Sequence, residues 1–145
     1  MYKKKYNEKA ITDVYKNAKI AMQSLNDLIP SVKDKELKKE LEEEYDGYRK
    51  AAKAVGEFMD ENKIERKEVG FFQKAGMWVG IKTKVVFDNS KNNVAEMMMK
   101  GTTNGINELT AMKNESKNLD ESVKEHVINL LKLEESYQQR LKNYL

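Results

Sequence analysis

The chain has 145 residues, of which 35% are charged and 39% hydrophobic, and 27 basic residues against 24 acidic residues leave a formal net charge of +3. This length predicts a single domain, residues 1–145, and so small a net charge gives no indication of a nucleic-acid or membrane-surface partner. Cysteine is absent, which excludes disulfides, thiolate metal sites and cysteine nucleophiles.

The first ten residues, MYKKKYNEKA, contain no apolar signal-peptide core. No apolar run in the sequence approaches the roughly 20 residues that cross a bilayer. We therefore expect a cytoplasmic protein without a membrane partner. The basic cluster from Lys3 to Lys5 is interpreted as a solvated, frayed end of the chain.

The first predicted helix runs from about Glu8 to Ile29 and ends before Pro30, because the residue before a proline is pushed out of helical geometry. Its apolar positions recur at spacings of three and four: Ile11, Val14, Tyr15, Ala18, Met22, Leu25 and Ile29.

A second helix follows after a short turn, with Ser31 or Asp34 as its N-cap. Its predicted buried side consists of Leu37, Leu41, Tyr45, Tyr48, Ala52, Val55 and Met59. A turn this short predicts that the two helices form an antiparallel hairpin.

The segment from Lys67 to Ser90, KEVGFFQKAGMWVGIKTKVVFDNS, is predicted to be a connecting helix. Its apolar residues keep helical spacing, although three glycines lower its helix propensity. A strand from Lys84 to Phe87 is the alternative.

The third predicted helix runs from about Lys91 to Ser116, and the fourth from about Asp120 to the C-terminus. The apolar positions of the fourth helix are Val123, Val127, Leu130, Tyr137, Leu141 and Leu145. A single proline and almost no strand-like alternation indicate an all-α protein. The predicted fold is a ferritin-like four-helix bundle of two antiparallel hairpins with a helical crossover.

The stretch VAEMMMKGTTNGINEL, from Val94 to Leu109, places methionines next to two glycines. Helical projection puts most of the methionines on the buried side, while Met99 and Ile106 fall to one side of it. Gly101 and Gly105 are predicted to make room for a bulky neighbour, such as the ring of Tyr137 or Trp78. A copper(I) site with thioether ligands is the alternative.

Three carboxylates fall on stripes that are otherwise apolar. Glu44 lies between Leu41 and Tyr48, Glu108 lies beside Gly105 and Met112, and Glu134 lies between Leu130 and Tyr137. A buried carboxylate needs a cation, a hydrogen-bonding tyrosine or water. Glu44, Glu108 and Glu134 are therefore candidate ligands of an iron or manganese ion, with Tyr48 and Tyr137 as hydrogen-bond donors to them.

The histidines of the di-iron bundles are missing, because the single histidine, His126, does not follow a glutamate by three residues. Counting outward from the turn near Lys117 places Glu108 level with His126 and Glu134 level with Gly101. Hydrogen-bonded or ion-paired glutamates at the edge of the core are therefore favoured over a metal site, which is the alternative. His126 is predicted to hydrogen-bond Glu108.

No Ser-His-Asp set or phosphate-binding glycine loop is present, so no catalytic residue is assigned. A surface that binds nucleic acid is an alternative for the connecting segment, because its aromatic residues Trp78 and Phe71 are interleaved with Lys74, Lys82 and Lys84. We expect these aromatic groups instead to cover the bundle or to form a contact between subunits.

The stretches GMWVGIKTK, DNSKNNVAEMMMKGTTNGINEL and LLKLEESYQQRLKNYL resemble an uncharacterised family of ferritin-like helical bundles of Gram-positive bacteria. The resemblance covers Gly76 to Leu145. It implies a ferritin-like fold without an assigned reaction, and it supplies no metal ligands.

Two hypotheses for the function follow from these patterns. The first is a non-enzymatic bundle that acts through protein contacts, forming a homo-oligomer through the aromatic segment or through an outward row such as Met99 and Ile106. The second is a degenerate carboxylate protein that binds iron or manganese. A weak nucleic-acid binder is a further alternative.

Overall fold

The computed structural model of the protein describes residues 2–66 and 88–145. This part of the chain contains four α-helices and no strand: α1 (Tyr2–Leu28), α2 (Lys35–Glu61), α3 (Lys91–Asn114) and α4 (Glu121–Leu141). Short 3-10 turns at Ile29–Ser31, Ser116–Asn118 and Lys142–Tyr144 follow α1, α3 and α4. The all-α class is confirmed, whereas the connecting helix and the alternative strand at Lys84 to Phe87 lie outside the described residues.

The helix ends follow local chemistry where a cap or a proline is present. Pro30 lies in the 3-10 turn that ends α1, as the sequence predicts. Asp34 is the N-cap of α2, since its carboxylate accepts a hydrogen bond from the Leu37 backbone N–H at 2.9 Å. The last turn of α2 leads to Lys63, whose φ of 57° turns the chain away from the helix.

Helix α1 begins six residues earlier than the sequence predicts. The reason is tertiary: the Asn7 side chain is buried and accepts a hydrogen bond from the Asp120 backbone N–H at 2.8 Å. The Tyr6 hydroxyl also donates to Glu115 at 3.1 Å. Lys3 to Lys5 belong to α1, so the prediction that they lie outside the helix is wrong, whereas Lys4 and Lys5 are exposed as predicted.

The core is formed by the apolar sides of all four helices. The predicted apolar stripes are buried apart from Met22, Ile29, Tyr45 and Met112, which are half-buried, and Leu145, which is 61% exposed. The sequence predicts that Leu145 continues the stripe of α4, but α4 ends at Leu141 and Leu145 is exposed beyond the following turn. Met97, Met98 and Gly101 are buried, as the helical projection of α3 predicts.

The helices pack mainly as α1 on α2 and as α3 on α4, with α1 also contacting α4. Contacts between α1 and α3 are sparse. They include Tyr6 with Glu115 near one end of α3, and Asn17 with the Gly105 carbonyl further along. The four helices therefore enclose a core but leave a gap between α1 and α3. No helix in the described ranges is long and apolar enough to cross a membrane.

Candidate functional site

Glu134, on α4, is a buried carboxylate that faces both α2 and α3. Only 1% of the residue is exposed. Its Oε2 accepts a hydrogen bond from the Tyr48 hydroxyl at 2.9 Å, whereas its Oε1 has no hydrogen-bond partner in the protein. Tyr48 is itself fully buried, so this bond lies entirely inside the core.

Burial is the main cause that raises the pKa of Glu134, to about 8, because water no longer solvates the charged form. The Tyr48 hydrogen bond opposes this shift, the Glu108 charge adds to it, and the Asn17 amide opposes it. The Tyr48 hydroxyl responds in the same direction: burial and then the nearby Glu134 charge raise its pKa well above the usual value. A neutral Glu134 next to a neutral Tyr48 is the state that this core favours near neutral pH.

Gly105 makes room for the Glu134 carboxyl group. A methyl group added at Gly105 would lie 2.7 Å from Oε2 and 2.8 Å from Oε1 of Glu134, closer than such atoms can approach. The sequence predicts clearance at Gly105 for an aromatic ring, and this prediction is wrong in the identity of the neighbour. The sequence also predicts that Glu134 lies level with Gly101, whereas in the structure its carboxyl group lies against Gly105, one helical turn away.

The aromatic ring that needs a glycine is instead Tyr137, and the glycine is Gly47 on α2. The Tyr137 hydroxyl occupies the space that a side chain at Gly47 would fill. The Tyr137 ring packs edge-on against Tyr48, with ring centroids 5.4 Å apart. Desolvation, followed by the nearby Glu44 charge, raises the pKa of Tyr137 to about 12.

Glu44 lies one turn before Tyr48 on α2 and is completely buried. Neither of its carboxyl oxygens receives a hydrogen bond from a donor group, and the same is true of Oε2 of Glu40. Glu44 and Glu40 contact each other, and two carboxyl groups can share a hydrogen bond only if one carries a proton. Burial first, then this hydrogen bond and the Glu40 charge, raise the pKa of Glu44 to about 10.

Arg140, on α4, binds the other side of Glu40. Its guanidinium donates to Oε1 of Glu40 from Nε at 3.0 Å and also reaches Glu43 at 2.6 Å. The Arg140 guanidinium also lies 5.5 Å from the centroid of the Tyr137 ring. Arg140 thus supplies the positive charge beside Glu40. The raised pKa of Glu44 favours its neutral form near neutral pH.

Glu108 is not buried, and its predicted place on an apolar stripe of α3 is wrong. The physical reason is the gap between α1 and α3, because residues on this side of α3 face the gap instead of a packed helix. Partial desolvation and then the Asp13 charge raise the pKa of Glu108, while Lys9 and Lys16 oppose the rise. The charges around Glu108 are therefore those of α1.

The gap forms a groove of about 330 Å³, which we call the α1/α3 groove. Its apolar lining, which we call the floor, consists of Tyr6, Ala10, Ala111, Met112 and Leu119. Its rim is charged and consists of Lys9, Asp13, Glu108 and Glu115, with Lys9 and Asp13 paired at 2.7 Å. The adjoining surface of α1 carries both charges, with Lys5 and Lys16 beside Glu8 and Glu65.

The structure thus gives the three predicted metal ligands different surroundings: Glu134 binds Tyr48, Glu44 contacts Glu40, and Glu108 lines the groove. Within residues 2–66 and 88–145, no group of three or more histidine, cysteine, aspartate or glutamate side chains could hold a metal ion. Tyr48 donates to Glu134 as the sequence predicts. A metal ion at these glutamates stays a prediction.

The predicted hydrogen bond between His126 and Glu108 does not form. The His126 ring packs on Phe58, with centroids 5.1 Å apart, and burial lowers its pKa. Four residues that shape the cluster were missed by the sequence patterns: Asn17, Glu40, Gly47 and Arg140. A signal for Glu40 was present, since it precedes Glu44 by one helical turn, whereas Arg140 lies far away in sequence.

The fold and the two features described, a buried cluster of carboxyl and phenol groups and an external groove, define the class only as an all-α protein, with four α-helices in residues 2–66 and 88–145. Comparison with models of protein families, with curated proteins and with solved structures gives no match.

Proposed function

We propose that this protein is a non-enzymatic, cytoplasmic bundle of ferritin-like type, built from two antiparallel hairpins, that acts by associating with further copies of itself. The observation that carries the proposal is the α1/α3 groove. Its apolar floor interrupts a surface on which, among the described residues, Leu145 is the one exposed large hydrophobic side chain. An apolar groove with a charged rim is a common form of protein contact surface.

The predicted outward row gives less support to self-association. Met99 and Ile106 are half-buried and pack against the core, so little of either side chain is free to meet a partner. The aromatic segment around Trp78, also predicted as a contact, lies outside the described residues. The groove is therefore the surface on which we place the contact between copies.

Two matched alanine substitutions test this function. Ala111 is exposed on the floor of the groove, and Ala54 is exposed on α2. Light scattering at rising protein concentration is expected to detect a dimer or larger species in the parent and in Ala54→Glu. Ala111→Glu is expected to remain monomeric, because it places a charge on the apolar floor.

Circular dichroism of both variants establishes that each is folded before its mass is interpreted. A parent protein that remains monomeric at the highest concentration overturns the proposal. Equal association of the two folded variants also overturns it, since the groove would then have no part in the contact.

The second candidate function is the binding of iron or manganese by the buried glutamates. The observation that favours it is that both oxygens of Glu44 and one oxygen of Glu134 accept no hydrogen bond in the protein. Oxygen ligands of this type suit manganese and ferrous ions. Glu44 and Glu134 would hold the ion, and the Tyr48 hydroxyl would orient Glu134.

Anaerobic addition of ferrous iron or manganese, followed by a thermal melt, tests this candidate. A bound ion raises the melting temperature, since it binds the folded state. The rise is expected in the parent and in Glu135→Ala, whose side chain is exposed, but not in Glu134→Ala. An unchanged melting temperature in the parent excludes the site.

A further inference from the structure

Methionine is the only sulfur-containing residue type in this sequence, which has eight methionines and no cysteine. Among the described residues, Met59, Met97 and Met98 are buried, whereas Met22, Met99 and Met112 are half-buried. An oxidant dissolved in water reaches exposed sulfur more readily than buried sulfur. We therefore expect the half-buried methionines to react first.

Met112, on α3, differs from the other half-buried methionines because it lines the α1/α3 groove, which Met22 and Met99 do not. The groove has a volume of about 330 Å³. A water molecule takes up about 30 Å³ in the liquid, so a small hydroperoxide has room to enter. The Met112 side chain is thus open to solvent at the surface on which we place the contact between copies.

We propose that Met112 is a site of reversible oxidation, and that its sulfoxide prevents a second copy of the chain from binding at the α1/α3 groove. This inference rests on the self-association proposed above and adds its regulation. The oxidant is a hydroperoxide. The Met112 sulfur attacks one peroxide oxygen, so that an S–O bond forms and the O–O bond breaks. Sulfur loses two electrons, and the hydroperoxide accepts them and leaves as water or an alcohol, after a proton passes through solvent to the leaving oxygen.

The reverse step requires a dithiol reductant. Two thiols of a separate reductase supply two electrons, become a disulfide and release the sulfoxide oxygen as water. Residues 1–145 contain no cysteine, so they cannot supply these thiols. The oxidation state of Met112 is therefore set by the peroxide and the reductant in its surroundings.

The sulfoxide makes the floor of the groove polar at one point. Water satisfies the sulfoxide oxygen while the groove is open, but a second copy excludes that water. The donor side chains of the groove lining are Tyr6 and Lys9, and they already bind Glu115 and Asp13. The contact would therefore bury a strong acceptor whose nearest donors are in use, and this weakens binding.

Peptide mapping by mass spectrometry tests the site. Hydrogen peroxide is added to the folded parent, and the gain of one oxygen is followed at each methionine with time. Met112 is expected to react faster than the fully buried Met59 and Met98 by on the order of tenfold or more. Equal rates at these three residues in the folded protein would overturn the assignment.

Light scattering before and after peroxide treatment tests the consequence. The parent is expected to associate more weakly after oxidation by on the order of tenfold or more, and to recover when a methionine sulfoxide reductase and dithiothreitol are added. Met112→Leu keeps an apolar side chain that peroxide does not oxidise, so its association is expected to resist the treatment. Met99→Leu is the matched control, because it removes the other half-buried methionine of α3 and should remain as sensitive as the parent.

Met112→Gln introduces a polar group at the same position without any oxidant. This variant is expected to associate as weakly as the oxidised parent. Circular dichroism of every variant, and of the oxidised parent, establishes that each is folded before its mass is interpreted.

The outcomes separate this inference from the function on which it rests. A parent that is monomeric before any oxidation removes the self-association and its regulation together. A parent that associates through the groove, and still does so once Met112 is fully oxidised, overturns this inference alone. If peroxide weakens the association of Met112→Leu as much as that of the parent, the inference is also wrong, because another residue is then responsible.

Discussion

Glu134 and Glu44 are carboxyl groups placed where water does not reach, and their chemistry follows from that single condition. Burial penalises the charged form, so the folded protein binds a proton at each residue more tightly than the unfolded chain does. Each group therefore weakens the fold as the pH rises. The sequence pattern located both residues on buried stripes, but it could not indicate their protonation, because that depends on Tyr48, Glu40 and Arg140.

The sign of the effect on stability is fixed by the two pKa values. For Glu134, the folded value of about 8 lies above the usual 4.5, so the free energy of unfolding decreases as the pH rises between these values. The slope is at most about 1.4 kcal/mol per pH unit for one group. Below the lower value both states are protonated and the effect disappears.

Glu134→Gln is expected to flatten this part of the pH profile, because glutamine keeps an acceptor for Tyr48 and does not titrate. Urea unfolding at a series of pH values measures the change, with the largest gain over the parent at the alkaline end. Glu42→Gln, an exposed residue of α2, is the control and should follow the parent. Parallel curves for the parent and Glu134→Gln would show that the buried carboxyl group takes no part.

Glycine decides how closely pairs of helices approach in this protein. Gly105 on α3 lies against a carboxyl group of α4, and Gly47 on α2 lies against the Tyr137 hydroxyl of the same helix. Helix propensity predicts that glycine at these positions costs about 1 kcal/mol each relative to alanine. The structure explains why alanine does not replace it, since a methyl group would overlap a side chain from the neighbouring helix.

Gly105→Ala is expected to destabilise the protein by roughly 1 to 3 kcal/mol despite the better helix propensity of alanine, because Glu134 must move and lose its bond to Tyr48. Denaturant unfolding measures the loss. In the background of Glu134→Ala the same substitution is expected to be neutral or stabilising, since the clashing carboxyl group is gone. Equal costs in the two backgrounds would contradict the contact.

The helices themselves could be predicted from the sequence because their determinants are local. The spacing of the apolar residues identifies α1 to α4, Pro30 ends α1, and Asp34 begins α2. The start of α1 could not be predicted, because it depends on the contact of Asn7 with Asp120, which lies more than a hundred residues away. Local sequence patterns indicate interactions between residues that are close in sequence. They do not indicate contacts between distant residues, such as that of Asn7 with Asp120.

For the whole molecule, the short turns predict which helices are neighbours, and α1 does pack on α2 and α3 on α4. They do not predict how closely the two pairs meet. Glu108 shows the consequence, because a residue on the helical face that should be buried lies instead beside an open groove. The metal prediction treats Glu108 as a core residue, and no local sequence pattern corrects this.

The tyrosine hydroxyl that rests on the backbone of Gly47 also fixes the longitudinal alignment of α4 against α2. A slip of one helical turn, about 5.4 Å, would place that ring opposite Glu43 or Ala51, which both carry side chains where Gly47 has none. Misaligned pairings of similar apolar content are thereby made sterically costly. The absence of a side chain at Gly47 thus favours one alignment of α4 against α2 among several that would bury similar apolar surface.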